Sequence, residues 1–349
     1  MTDDRPNPTG AAAEAPPPHV QVIQMALGYW VSRALYAAAK LGLADKLAGG
    51  PRSAAELAKE TGTLPSALHR LMRLLAGLGI LKTERDGQRF SLTPLGEAMK
   101  SGAPGAAHAT LLSLAGPTFW KAFGEYMYSL ETGNTGFEKA YGIPVFDYLA
   151  EHPEDAANFT QAMIGFHGDE PPAVAAAYDF SGIGTVVDVG GASGNMLVAI
   201  LSRYPGPRGV LFDLPHVVRD APNSFQVAGL GDRVRVEGGT FFDRVPEGGD
   251  AYILSHVIHD WSEDQCLTIL GNCRKAMKPG SKLLMVEMVL PAGDEMHFGK
   301  LLDLTMLVMP GGQERTESEY GALLEKAGFR LARVVPTQST VSVVEAVKA

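Results

Sequence analysis

The run Val186-Val187-Asp188-Val189-Gly190-Gly191-Ala192-Ser193-Gly194-Asn195 decides the fold. An apolar, β-branched segment carries an acidic residue near its end, and a glycine-rich turn follows. Met196-Leu197-Val198-Ala199-Ile200-Leu201 then opens a helical pattern. Strand, tight turn and helix start, in that order, mark the place where an open α/β sheet binds a nucleotide-like ligand. Glycine lets the backbone pass close to such a ligand, where a side chain collides. The next strand, Gly209-Val210-Leu211-Phe212-Asp213, ends in a second carboxylate 19 positions after Gly194. That spacing suits an acceptor for ribose hydroxyls.

The turn does not keep the G-x-G-x-x-G spacing of a dinucleotide site. Its Asp188, Gly190 and Gly194 are similar to the D-x-G-x-x-x-G turn of enzymes that use S-adenosylmethionine (SAM). From Thr185 onward strands and helices alternate, which predicts an α/β domain. Strands are expected at 185–189, 209–213, 233–237, 250–255 and 282–289, with a closing pair near 329–335 and 340–347.

The chain has 349 residues, enough for two domains, and a net charge of −9. That charge argues against nucleic acid as a partner, since such binding rests on Lys and Arg neutralising phosphates. No apolar run is long enough to span a bilayer, and the acidic N-terminus does not look like a signal peptide. Cys266 and Cys273 lie two turns apart on one expected helix, too far to bridge. They read as core residues of a cytoplasmic protein. Residues 1–18, rich in Pro and Ala, are expected to be a disordered tail.

Residues 19–110 read as mostly helical. Val20, Ile23, Leu27, Trp30, Val31 and Leu35 keep a helical period. Ser53 and Glu56 form a capping box. A second helix carries Arg70 and Arg73, and a hairpin turns around Arg85-Asp86-Gly87. Helix, turn, helix and hairpin make a winged-helix pattern. It could read DNA through the second helix. A scaffold for a two-fold dimer fits the acidic chain better, with Tyr29, Trp30 and Tyr36 adding apolar surface to bury. Residues 111–175 are expected to be a helical linker that adds aromatic walls to a pocket, ahead of the α/β domain at 176–349.

Strand ends are where chemistry is expected. His259 falls just past the strand that starts at Asp250. Glu287 lies within an apolar strand, where a charge is costly unless paired. Glu314 sits in the loop Pro310-Gly311-Gly312-Gln313-Glu314-Arg315. A histidine with carboxylates to orient it is a general-base arrangement.

These residues together resemble the SAM-dependent small-molecule O-methyltransferases. The resemblance rests on Val187-Asp188-Val189-Gly190-Gly191, Asp213-Leu214-Pro215, Gly239-Thr240-Phe241-Phe242, His259-Asp260-Trp261 and Gly311-Gly312-Gln313-Glu314-Arg315-Thr316. It implies a Rossmann-like class I methyltransferase domain behind a winged-helix dimerisation domain, and a homodimer. The implied cofactor is SAM, held by Asp188, Gly190, Gly191, Asp213, Leu214, Thr240, Phe241, Ser255, His256 and Trp261. His259 would be the base, flanked by Glu287 and Glu314. A small aromatic substrate would meet Phe119, Trp120, Met163, Phe166, His167, Asp303 and Met306. No metal and no membrane partner are implied. Three positions depart from the family pattern: Thr240 replaces a usual Asp, Ser255 a frequent Lys, and Ala192 a common Gly. The alternatives are a methyltransferase acting on nitrogen, one working by proximity without a base, a winged-helix regulator that senses a small molecule, and, further off, a dehydrogenase.

Overall fold

The computed structural model describes residues 16–349. The tail expected at 1–18 therefore lies mostly outside the described residues; Pro18 already opens a helix. The chain divides into two compact units, ending and starting at Gly116 and Pro117.

In the first unit the helical period expected from Val20 to Leu35 is carried by two helices, Pro18–Ala26 and Tyr29–Lys40. The break falls at Leu27–Gly28, where Gly28 bonds back to the Met25 carbonyl in a tight turn. No residue of Pro18–Ala26 is buried. Val22, Ile23, Met25, Tyr29 and Trp30 stand exposed. Strand β1 (Arg52–Ser53) leads into Ala54–Thr61, which starts with the expected capping box. The helix Pro65–Gly77 follows, with Leu68, Met72 and Leu75 buried and Arg70 and Arg73 exposed. β2 (Leu81–Thr83) and β3 (Arg89–Leu92) form the antiparallel hairpin, with β3 also paired to β1. Asp86 fixes its turn by accepting from the backbone of Gln88 and Arg89, both at 2.9 Å.

The second unit joins helices at 117–177 to a seven-stranded sheet. Its strands are β4 (Thr185–Val189), β5 (Arg208–Asp213), β6 (Val234–Gly238), β7 (Ala251–Ser255), β8 (Lys282–Glu287), β11 (Phe329–Pro336) and β12 (Ser342–Lys348). Their order is β11-β12-β8-β7-β4-β5-β6. The five strands from β8 to β6 run parallel, and β12 is antiparallel to both its neighbours. Central strands are covered on both faces and so read as unbroken apolar runs; Ala251, Tyr252, Ile253 and Leu254 are all fully buried. One face packs on Glu263–Ala276 and Glu317–Lys326, the other on Glu170–Ala177 and Asn195–Arg203. From β4 the chain builds outward to β5 and β6, then returns to β7 on the other side of β4. That reversal opens a crevice at the ends of β4 and β7, where ligands bind. A two-stranded parallel ladder, β9 (Val289–Leu290) with β10 (Arg315–Thr316), ties the loop before β10 to the end of β8.

Candidate active site

A cavity of about 840 Å³ opens at this crevice. Gly190, Gly191 and Asp188 line one side, and Ser255 and His256 another. Met163 and His167 add a third wall from the helical segment. The glycines are required by the protein itself as well as by any ligand. Gly190 has φ +73°, and a Cβ there would stand 2.9 Å from Val257. At Gly191 a Cβ would meet the Asp188 carboxyl at 2.4 Å. Ala192 holds φ +47°, a left-handed backbone that glycine adopts more easily.

Asp188 is fully buried, and neither carboxylate oxygen has a hydrogen-bond partner among the described residues. Burial, and then the nearby Asp213 charge, pushes its pKa up to about 7. An orphan acid beside a glycine cradle fits a cationic ligand. Asp213 closes the turn: it accepts from the Ala192 N–H at 2.9 Å and the Leu214 N–H at 2.6 Å. Burial raises its pKa. Thr240 lies past the end of β6, and its hydroxyl oxygen accepts from the Phe242 N–H at 3.3 Å. Phe241 packs edge-on against Trp261, and Asn272 pins the Phe241 and Phe242 carbonyls. Leu214 is largely exposed.

His259 occupies a single 3-10 turn, Ile258–Asp260, directly past β7. It is 6% exposed. Its Nδ1 lies 2.6 Å from Oε1 of Glu314. The carboxylate fixes the tautomer, with Nδ1–H donating and the Nε2 lone pair left free. Asp260 Oδ1 stands 3.6 Å from Nε2, outside hydrogen-bond range. Burial lowers the His259 pKa, so the ring is neutral at neutral pH. Glu287 ends β8, and its Oε1 accepts from the Ile258 N–H at 3.0 Å, which caps the turn that carries His259. The Glu314 loop is held by backbone bonds: Gln313 donates to the His259 carbonyl, and Glu314 donates to Asp303. Burial raises the pKa of both Glu287 and Glu314, to about 7 for Glu314.

The expected aromatic residues divide. Met163 lines the cavity, and the Phe166 ring meets that of Phe298 at a tilt, centroids 5.5 Å apart. Phe119 packs instead in a helical core with Ala122, Phe137 and Val308. Trp120 is 47% exposed, and Met306 is buried. Asp303 serves the Glu314 backbone.

One residue not anticipated from the sequence is Glu170. It is buried and accepts from His256 Nε2 at 2.7 Å, His167 Nδ1 at 3.0 Å and Thr340 at 3.1 Å. These bonds hold its pKa near 2 against the effect of burial, which acts the other way. His167, Glu170 and His256 are close enough to share a metal ion. Hydrogen bonds already account for their grouping. The His167-x-x-Glu170 spacing, which places the pair one turn apart, was the available signal.

Comparison with known proteins settles the family. The profile of the O-methyltransferase domain matches residues 120–330, and that of the O-methyltransferase dimerisation domain matches 23–101. The chain belongs to the O-methyltransferase family. It is a SAM-dependent enzyme of α/β fold. It is 45% identical over 325 residues to phenazine O-methyltransferase PhzM of Lysobacter antibioticus, covering 93% of this chain and 95% of that protein. The crystal structure of LaPhzM superposes with a TM-score of 0.89 at 44% identity, over 95% of this chain and 100% of that one. NcsB1, an O-methyltransferase from neocarzinostatin biosynthesis, was solved with SAM and 2-hydroxy-5-methyl naphthoic acid. It superposes with a TM-score of 0.82 at 33% identity, over 91% and 96% of the two chains.

Proposed function

We propose that this enzyme methylates a hydroxyl of a small, planar aromatic compound and that His259 is its base. The observation that carries the reading is the buried His259–Glu314 pair at 2.6 Å beside the glycine-turn cavity. When bound, SAM supplies a methyl group made electrophilic by its sulfonium. Asp188, Gly190 and Gly191 would hold its methionine part, with Asp213 at the ribose and Thr240 and Phe241 at the adenine. The protein must then orient the acceptor oxygen and take its proton. A phenol has a pKa of about 10, so ionising it at pH 7 costs about 4 kcal/mol. His259 Nε2 is free to accept that proton, and Glu314 steadies the imidazolium that forms. General-base catalysis of this kind contributes about 10²–10⁴-fold.

Replacement of His259 tests the base. His259→Ala should bind SAM with normal affinity and lose about 10²-fold or more in kcat at neutral pH. The deficit should shrink as pH rises toward the acceptor's pKa, because phenolate then forms unaided. Near-normal turnover at pH 7 would sink the base and point to a proximity mechanism or an amine acceptor. We also propose a homodimer through the first unit, supported by the exposed apolar residues of its first two helices.

A further inference from the structure

We propose that Arg315 is a positioning residue for the base. Its guanidinium ties the backbone just ahead of His259 to the backbone just ahead of Glu314, and its fixed charge keeps Glu314 an anion beside a neutral imidazole. The proposal rests on the reading of His259 as base and adds a residue to that machinery.

Arg315 opens β10, which pairs with β9 past the end of β8. It is 4% exposed. A guanidinium keeps its proton at any pH a protein survives, so a buried one needs an explanation. The common explanation is a carboxylate in contact. Among the described residues Arg315 bonds neutral groups instead. Nη1 donates to the Gln313 carbonyl at 2.9 Å and, more weakly, to the Ile258 carbonyl at 3.5 Å. Nη2 stands 4.0 Å from Sγ of Cys266, whose thiol donates to the same Ile258 carbonyl at 3.2 Å. Gln313 immediately precedes Glu314, and Ile258 immediately precedes His259. One nitrogen therefore spans the two segments whose side chains meet at 2.6 Å.

The charge has a second task. His259 is faced by Glu287 at the end of β8, Glu314 from the loop before β10, Asp260 in its own turn and His256 after β7. His167 and Glu170 act on it from the helical segment. The field of Arg315 also reaches Glu263 and Cys266, Glu319 and Tyr320, and Asp303, on three neighbouring helices. Glu287 and Glu314 each have one buried oxygen without a partner among the described residues, so no further hydrogen bond there supports ionisation. Burial raises the pKa of Glu314, and His256, Arg315, His167 and His297 pull it down. Of those four, the histidines are cationic only when protonated, and the guanidinium always is. Burial lowers the pKa of His259, and Arg315 acts in the same direction. One cation thus favours both forms that proton transfer from a hydroxyl needs: a carboxylate at Glu314 and a free lone pair on His259. Standing off from Glu314 matters too. A guanidinium in contact would take the carboxylate as a forked partner and compete with the His259 Nδ1–H.

Two substitutions separate the bonds from the charge, with turnover read on SAM and a naphthol. R315K keeps the charge and loses the planar fork. Its kcat should fall by about tenfold at every pH, with the acidic limb of the pH profile in place. R315Q keeps a donor for the Gln313 carbonyl and loses the charge. His259 and Glu314 then hold their protons to higher pH, so the acidic limb should move up by about one unit. An unmoved limb in R315Q would overturn the proposal, and so would a wild-type kcat in R315K. If R315Q does not fold, R315K still decides: a displaced limb despite the retained charge overturns the proposal as well. NMR titration of the His259 ring nitrogens, assigned by their loss in His259→Ala, needs no acceptor. Its midpoint should be higher in R315Q than in the wild type, and equal midpoints would remove the electrostatic role. An active His259→Ala enzyme would instead remove the base, and the ring titration would still report whether Arg315 acts on His259.

Discussion

Asp188 carries the plainest consequence at the scale of single residues. Its carboxyl is buried and unpartnered among the described residues, and burial lifts its pKa to about 7, so protonated and ionised forms both occur near neutral pH. A cationic ligand favours the ionised form, so its binding expels the proton. SAM binding should therefore release a fraction of a proton near neutral pH, and affinity should rise as pH increases through that range. Calorimetry in buffers of different ionisation enthalpy measures this. Asp188→Asn should abolish the release, and buffer-independent heats in the wild type would count against the assignment. His259, Glu287 and Glu314 were all legible in the sequence, because a histidine after a strand end and a charge inside an apolar strand both need a reason. Glu170 was not, because the His167-x-x-Glu170 spacing signals only the local pair, while its other ring partner, His256, lies 86 positions away. The left-handed backbone at His256 has no signature in a non-glycine residue either.

At the scale of elements, the glycine turn makes a testable contrast. Ala192 and Gly190 both hold positive φ, but Ala192 already carries its Cβ, whereas at Gly190 a Cβ would stand 2.9 Å from Val257. Ala192→Gly relieves the backbone strain of about 1–2 kcal/mol and gives back part of it through a freer unfolded chain. It should raise the thermal midpoint by about 1–2 °C. Gly190→Ala should lower it, since strain and collision act together. Equal midpoints in the two variants would mean the turn is softer than its dihedrals imply. The strands of the sheet were readable because burial on both faces leaves no polar alternation to blur them. The break at Leu27–Gly28 left no mark in the sequence, because the apolar period continues in register across a break set by one backbone turn. Phe119 was misassigned for a related reason: an aromatic residue that fills a helical core looks the same in sequence as one that lines a pocket.

At the scale of the whole molecule, the first unit leaves Val22, Ile23, Met25, Tyr29 and Trp30 exposed, which a solitary copy would hold in water. Removing the first 17 residues should preserve a dimer in sedimentation, since the helix from Pro18 remains. Removal through Leu47 should produce monomer or aggregate. A well-behaved monomer of the full chain would end the dimer proposal. Gly312 bears on a different property of the enzyme. A side chain there would meet the His259 carbonyl at 1.8 Å, and its neighbour Gln313 bonds that same carbonyl. His259 and Glu314 are therefore fastened together through the backbone past the end of β7. Met163 and Phe166 belong to a separate helix, Pro153–Phe166. On the reading proposed above, a lineage, or an engineer, can recast that helix to admit a new acceptor without touching His259 and Glu314. On that reading, what is methylated can drift while how it is methylated stays put.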